Sequence, residues 1–194
     1  MCGLVYMHDL EGKPVNGPVL AQYQKQRDRG FKGFGIFDAQ YMNLIKHTKE
    51  KKAVKWLQKY QSSRLMFHHR YPTSTANTKR TAHPFTTGDY FGDVQYIMMH
   101  NGNVKNDLVL HDEHVKQGIV YQSANNFGLF NDSESLLWDF ALTMEGKQDK
   151  LKAEGAVAVI VLRTVKGELD KLYFGHNWER PLKLHRSKNT FELS

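Results

Sequence analysis

The chain begins Met1-Cys2-Gly3-Leu4-Val5-Tyr6. Residues 3–8 alternate loosely and are rich in aliphatic and aromatic types, the pattern of a buried strand. The stretch therefore predicts a strand leading directly away from the only cysteine in the sequence, with that thiol held at a strand end. A small residue at position two permits removal of Met1, after which Cys2 would carry a thiol and a free α-amine on one residue. The amine's unperturbed pKa, about 7.7–8.0, suits a base accepting a thiol proton near neutral pH. Covalent catalysis by an N-terminal residue needs this pairing. On these six residues alone, Cys2 reads as a buried small hydrophobe, the usual state of an unpaired cysteine; stretches further along reverse that reading.

A length of 194 residues with 40% hydrophobic content fills one core well and two poorly, so residues 1–194 are expected to form a single domain. One cysteine excludes an internal disulfide framework and any multi-cysteine zinc or iron–sulfur site, and it fits a reducing compartment. The N-terminus lacks a basic region followed by an apolar run, and no stretch approaches the roughly 18 apolar residues of a membrane span. A cytoplasmic protein with no membrane partner is expected. Lys and Arg total 27 against 20 for Asp and Glu, a net charge of +7. Part of this excess is local: Lys46, Lys49, Lys51, Lys52, Lys55, Lys59 and Arg64 are opposed by Glu50 alone. Charge runs usually solubilise, so this segment reads as a solvated helix face, and nucleic acid is not an expected partner.

Working outward from the first strand, Asn16-Gly17-Pro18 reads as a helix start, with Val19, Leu20, Tyr23 and Arg27 on one stripe up to Gly30. Gly30-Phe31-Lys32-Gly33-Phe34-Gly35 is glycine-dense, but its spacing is not that of a dinucleotide fingerprint, and tight loop-to-sheet packing is the expected use. Strands are predicted from Phe34, over Tyr41 to Lys46 and over Arg64 to His69, with an amphipathic helix from Glu50 to Gln61. Val94 to Met99 reads as a strand ending at His100-Asn101-Gly102, where Asn-Gly calls for a turn. Asp132 and Ser133 are expected to cap a helix that Gly146 stops. Gly155 to Leu162 is a continuous apolar run of doubly buried strand length, and three further strand segments follow to Leu193. Strands at both ends with helices between them predict an α+β protein.

Five fragments then combine: Cys2-Gly3-Leu4-Val5, His68-His69-Arg70-Tyr71-Pro72-Thr73, Ala82-His83-Pro84-Phe85, His100-Asn101-Gly102-Asn103-Val104-Lys105-Asn106 and Asp132-Ser133-Glu134. In this order they resemble the motifs of the class II glutamine amidotransferases, whose domain is similar to the N-terminal-nucleophile hydrolases. The resemblance implies a four-layer αββα sandwich of two mainly antiparallel sheets with helices outside. It implies Cys2 as nucleophile and Asn101 and Gly102 as the oxyanion hole. It also implies a pocket for free L-glutamine in which Arg70 grips the α-carboxylate, Thr73 helps seat it, Tyr71 lines the site, and Asp132 accepts from the α-ammonium.

The residue types fit the chemistry independently. Losing one donor to a tetrahedral oxyanion costs about 3–4 kcal/mol of barrier. A planar guanidinium and a carboxylate are the matching partners for an amino acid's two charges. Taken by themselves, Asn101-Gly102 equally fits a hairpin turn, Arg70 a surface salt bridge and Asp132 a helix cap. Arg29, His83 and His100 read as residues supporting the site. The histidines, including His111-Asp112-Glu113-His114, do not carry a metal assignment, and no cofactor is expected.

The resemblance has departures. Lys32-Gly33 stands where an Asp-Ser pair commonly follows Arg29-Gly30, and Phe67 replaces the usual glycine before His68. Family members commonly carry a second, synthase domain, for which 194 residues leave no room, so a separate acceptor-activating subunit is expected, with the Lys46–Arg64 segment as one surface for it. The alternatives are an N-terminal-cysteine amidohydrolase acting on another γ-glutamyl or acyl amide, and a basic binding module without catalysis.

Overall fold

The computed structural model describes residues 2–71 and 76–194. The chain divides into two compact units: residues 1–84 with 181–194 form unit 1, and residues 85–180 form unit 2.

Unit 1 is a six-stranded antiparallel sheet with two helices on one face. Its strands are β1 (Gly3–Asp9), β2 (Gly33–Asp38), β3 (Asn43–His47), β4 (Arg64–Arg70), and two C-terminal strands that return to it. Alternation sends Val5 and Met7 of β1 toward the helices α1 (Asn16–Gln26) and α2 (Glu50–Lys59), where they meet Val19, Tyr23, Ala53 and Leu57. The residues of the opposite face, Leu4, Tyr6 and Met66, are also buried, which accounts for the near-continuous apolar reading of the first strand. β1 lies between β4 and the C-terminal strand Thr190–Leu193. A strand bonded on both sides is a rigid mount for whatever stands at its end.

Unit 2 holds a four-stranded antiparallel sheet: β5 (Phe85–Thr86), β6 (Val94–Val104), β7 (Gly155–Val165) and β8 (Glu168–His176), in that order. Helix α4 (Asp132–Met144) lays Leu136, Leu137 and Ala141 against Met98 and Val161, and α3 (Asp107–Lys116) adds Leu110. Two antiparallel sheets of six and four strands, with four α-helices among the described residues, match the expected α+β class and the make-up of an αββα fold. No helix is long and apolar enough to cross a membrane among the described residues.

Two local expectations need correction. His100-Asn101-Gly102 does not turn: β6 runs on to Val104, pairing Asn101 with Ala158 and Gly102 with Val157. A long ladder to an apolar partner strand outweighs the turn preference of one dipeptide. Asp132 and Ser133 are not the cap of α4 either; Asn131 is, its Oδ1 accepting from the Ser133 N–H at 3.0 Å. The sequence reading also passes over α3, whose exposed Leu108 and Val109 blur its helical stripe.

Candidate active site

In unit 1, partly exposed Cys2 immediately precedes β1. The register pairs Gly3 with His69 of β4, and Arg70 ends that strand, so the thiol and the guanidinium belong to the same end of two bonded neighbours. Gly3 is dictated by packing: a Cβ there would stand 1.8 Å from His69 Nε2. The buried His69 ring makes a single hydrogen bond on its other side among the described residues, its Nδ1 lying 2.7 Å from the Gly30 carbonyl. A carbonyl only accepts, so Nδ1 carries the proton and Nε2 is an acceptor, buried without a partner among the described residues. Burial lowers the His69 pKa to about 4, the nearby Arg29 cation adds to the shift, and the Gly30 carbonyl opposes it. His69 is therefore neutral at pH 7.

Arg70 is buried, and its Nη1 donates to the Ala76 carbonyl (3.3 Å) and to Thr81 Oγ1 (3.0 Å). The loop after α1 lies along the end of β4, where the Lys32 N–H donates to the Arg70 carbonyl at 3.1 Å. Arg29 ends a short 3-10 turn in this loop, with its Nε buried and without a hydrogen-bond partner among the described residues. His83 is buried and its ring packs on that of His68 at 4.2 Å between centroids. Tyr71 is 45% exposed, with Lys32 Nζ 5.8 Å from its ring centre. Thr73 lies outside the described residues.

Unit 2 holds the remaining candidates. His100 is buried on β6 between two partners: Nε2 lies 3.2 Å from the Ala156 carbonyl and Nδ1 2.9 Å from Ser133 Oγ. The carbonyl requires the proton on Nε2, so Nδ1 accepts from the serine hydroxyl. Burial holds the His100 pKa below its ordinary value and Arg180 pushes the same way, while Asp132 and the Ala156 carbonyl oppose the shift. Asn101, next on the strand, is buried and Gly102 is exposed. A Cβ on Gly102 would come within 1.7 Å of the Ala156 carbonyl oxygen and 2.4 Å of His100 Nε2. Asp132, in the first turn of α4, accepts the Val104 N–H at 2.8 Å and so ties that helix start to the end of β6. Behind it the fully buried Glu134 carboxylate accepts from the Gln122 and Ser123 backbones and from Ser123 Oγ.

The structure thus gathers Cys2, Arg29, Arg70, Tyr71 and His83 in unit 1, and His100, Asn101, Gly102 and Asp132 in unit 2. Sequence reasoning gave no role to His69, gave Ser133 only a helix-capping one, and passed over Arg180. The first two stand inside motifs already quoted, but only the fold shows what their side chains hold. Among the described residues no group of three or more His, Cys, Asp or Glu side chains could hold a metal. His114 is turned to the Tyr121 hydroxyl at 2.7 Å and His111 stacks on Phe130.

The fold itself is shared with solved amidotransferase structures. The chain matches over its whole length the glutamine phosphoribosylpyrophosphate amidotransferase of B. subtilis, solved with ADP and GMP, with a TM-score of 0.67 and 16% identity. A structure described as the allosteric regulatory enzyme of purine biosynthesis matches with a TM-score of 0.68 and 16% identity. In both cases the chain spans 41% of the larger protein. A glutamine aminotransferase class-II domain protein from Silicibacter pomeroyi matches with a TM-score of 0.50 and 13% identity, over 87% of that chain. No family profile and no curated protein matches the sequence. At these identities the likeness establishes the fold, that of class II glutamine amidotransferase domains.

Proposed function

We propose that the chain, once processed to begin at Cys2, hydrolyses the side-chain amide of L-glutamine and passes ammonia to a separate acceptor-activating subunit. The observation that carries this is the placement of the only thiol. In a fold shared over its full length with amidotransferase domains, that thiol stands at the start of a central strand, beside the strand end that bears a buried arginine.

The α-amine of Cys2 takes the thiol proton, and the thiolate attacks the amide carbon. The resulting oxyanion is received by the Asn101 side-chain amide and the Gly102 N–H. The C–N bond breaks as the amine returns the proton to the departing ammonia. Water, deprotonated by the same amine, attacks the thioester and releases glutamate, restoring the thiol. Arg70, with Tyr71 and Thr73, takes the substrate carboxylate, and Asp132 takes its ammonium. Arg29, His83 and His100 keep these groups in place. The neutral His100 is suited to a holding role, both its ring nitrogens being engaged.

The test is intact-mass analysis of the processed protein with a glutamine-mimicking diazoketone, alongside a glutamate-release assay. A single adduct on Cys2 and turnover that Cys2→Ala abolishes are expected. Turnover unchanged in Cys2→Ala, or no adduct and no turnover with any partner, overturns the proposal. Arg70→Lys and Asp132→Asn should each raise KM for glutamine by more than tenfold. Unchanged KM in both would move the substrate to another amide.

A further inference from the structure

The net charge of +7 conceals a segregation. Unit 1 carries 18 basic against 6 acidic side chains, a net of +12, and unit 2 carries 9 against 14, a net of −5. Most carboxylates of unit 1 are engaged within it. Asp9 accepts the Glu11 and Lys13 N–H groups, Asp38 takes Ser62 Oγ, Glu11 pairs with Lys13, and Glu50 turns back to Tyr23 and Arg27. Glu50 is the one acid in the lysine-rich segment, so the outer side of α2 is left with cations.

On that side Lys51, Lys55 and Lys59 recur every four residues, a rise of about 6 Å per step. With Lys49 and Lys52 they are exposed, and none forms an ion pair among the described residues, unlike Lys13 and Lys152. β3 is the edge strand of the sheet, with no strand paired on its outer side among the described residues. The cationic surface continues across it: the fields of Lys79 and Lys52 both reach His47 on β3, adding to burial in lowering its pKa. At the C-terminal end of the lysine row, Trp56 and Tyr60 stack at 5.0 Å, Lys59 Nζ lies 5.1 Å from the Tyr60 ring centre, and Tyr60 is 45% exposed.

We infer that α2 and the β3 edge form a binding face for the sugar–phosphate backbone of single-stranded nucleic acid, with Tyr60 as a stacking position for a base. A track of point charges beside an exposed ring is the chemistry that holds single strands without reading sequence. Two other polyanions fit less well. An anionic membrane surface would call for an apolar helix face to insert, and that of α2, Ala53 and Leu57, is spent in the core. An acidic protein surface is better matched by arginine forks, and residues 46–59 contain no arginine. The inference is independent of the glutaminase reading, and either can fail without the other.

The experiment is fluorescence anisotropy of a labelled oligothymidylate of about 20 nucleotides, titrated with the protein from about 50 mM salt upward. The expected result is binding whose log affinity falls linearly with log salt. The variant Lys51→Glu/Lys55→Glu/Lys59→Glu should weaken it at least tenfold and flatten the slope by about 2, as removal of three phosphate contacts requires. Tyr60→Ala should weaken it severalfold at every salt concentration without changing the slope. Lys147→Glu/Lys150→Glu in unit 2 should do neither, and glutaminase activity should be unaffected throughout. Should the triple variant misfold by circular dichroism, the single Lys→Gln changes replace it, each expected to lower the slope by about 0.7. The inference is overturned if no binding occurs at the lowest salt, or if the unit 2 variant is as damaging. Polyglutamate or phosphatidylserine vesicles competing as well as the oligonucleotide overturn it too, assigning the face to protein or membrane.

Discussion

The two units solve one packing problem in two ways. In each, a buried neutral histidine lies over a glycine that neighbours a candidate catalytic group: His69 over Gly3 beside Cys2, and His100 over Gly102 beside Asn101. In unit 2 both ring nitrogens are engaged and the second obstacle to a side chain on Gly102 is main chain, the Ala156 carbonyl. In unit 1 one nitrogen holds the Gly30 carbonyl, the other has no partner among the described residues, and the atoms crowding Gly3 all belong to the movable ring. The difference teaches that a glycine can be required by a backbone or only by a side chain, and the two kinds of requirement break differently.

The largest effect is expected at Gly102. Gly102→Ala must displace a strand bonded along its length, so the cost should be about 3 kcal/mol or more, with glutamine turnover lost as the Asn101–Gly102 segment shifts. Removing the His100 ring at the same time should recover little, because the carbonyl remains. Gly3→Ala should cost about 1–3 kcal/mol by itself. Combined with His69→Ala it should cost less than the two single changes summed, by about 1 kcal/mol or more. Urea denaturation of the four variants and the two double variants measures both couplings. Equal couplings in the two units would erase the distinction between a movable and an immovable obstacle.

Protonation probes the same rings more gently. Because the folded His69 pKa is lowered to about 4, the unfolded chain binds the proton first as pH falls. Stability from this residue is therefore complete above about pH 6.5 and is lost progressively down to about pH 4. Between pH 7 and pH 5 the loss is of the order of 2 kcal/mol. His114 in unit 2 is lowered to the same value, chiefly by burial, and should add a slope of similar shape. Denaturant midpoints measured at both pH values should fall less in His69→Val than in the unsubstituted chain. Equal losses would place the acid sensitivity elsewhere.

Much of this was legible in the sequence because burial on both faces writes itself as apolar runs, as in the first strand and in Gly155 to Leu162. The residue types of the candidate site were legible as ordered motifs. What stayed hidden depends on partners distant in sequence. Asn101-Gly102 looks like a turn until β7, more than fifty residues later, is seen to hold it extended. His69 looks like one more polar residue in a strand until it is found opposite Gly3. Helix α3 escaped because its outward side keeps Leu108, Val109 and Val115 exposed, so no polar face marks its period.

The smallest effect separates two roles that the sequence had merged in Asp132. In unit 1 neither α1 nor α2 has a side-chain cap, whereas α4 in unit 2 begins with the Asn131 cap. Asn131→Ala should thus cost about 1 kcal/mol of stability and leave KM for glutamine largely intact. Asp132→Asn keeps an acceptor for the Val104 N–H, so its stability should change by less, while KM rises because an amide meets the substrate ammonium where a charge stood. Thermal unfolding and glutamine titration of the two variants should move in opposite order. If Asp132→Asn proves the more destabilising and leaves KM unchanged, Asp132 ties the helix to β6 and nothing more, and the ammonium must be received elsewhere.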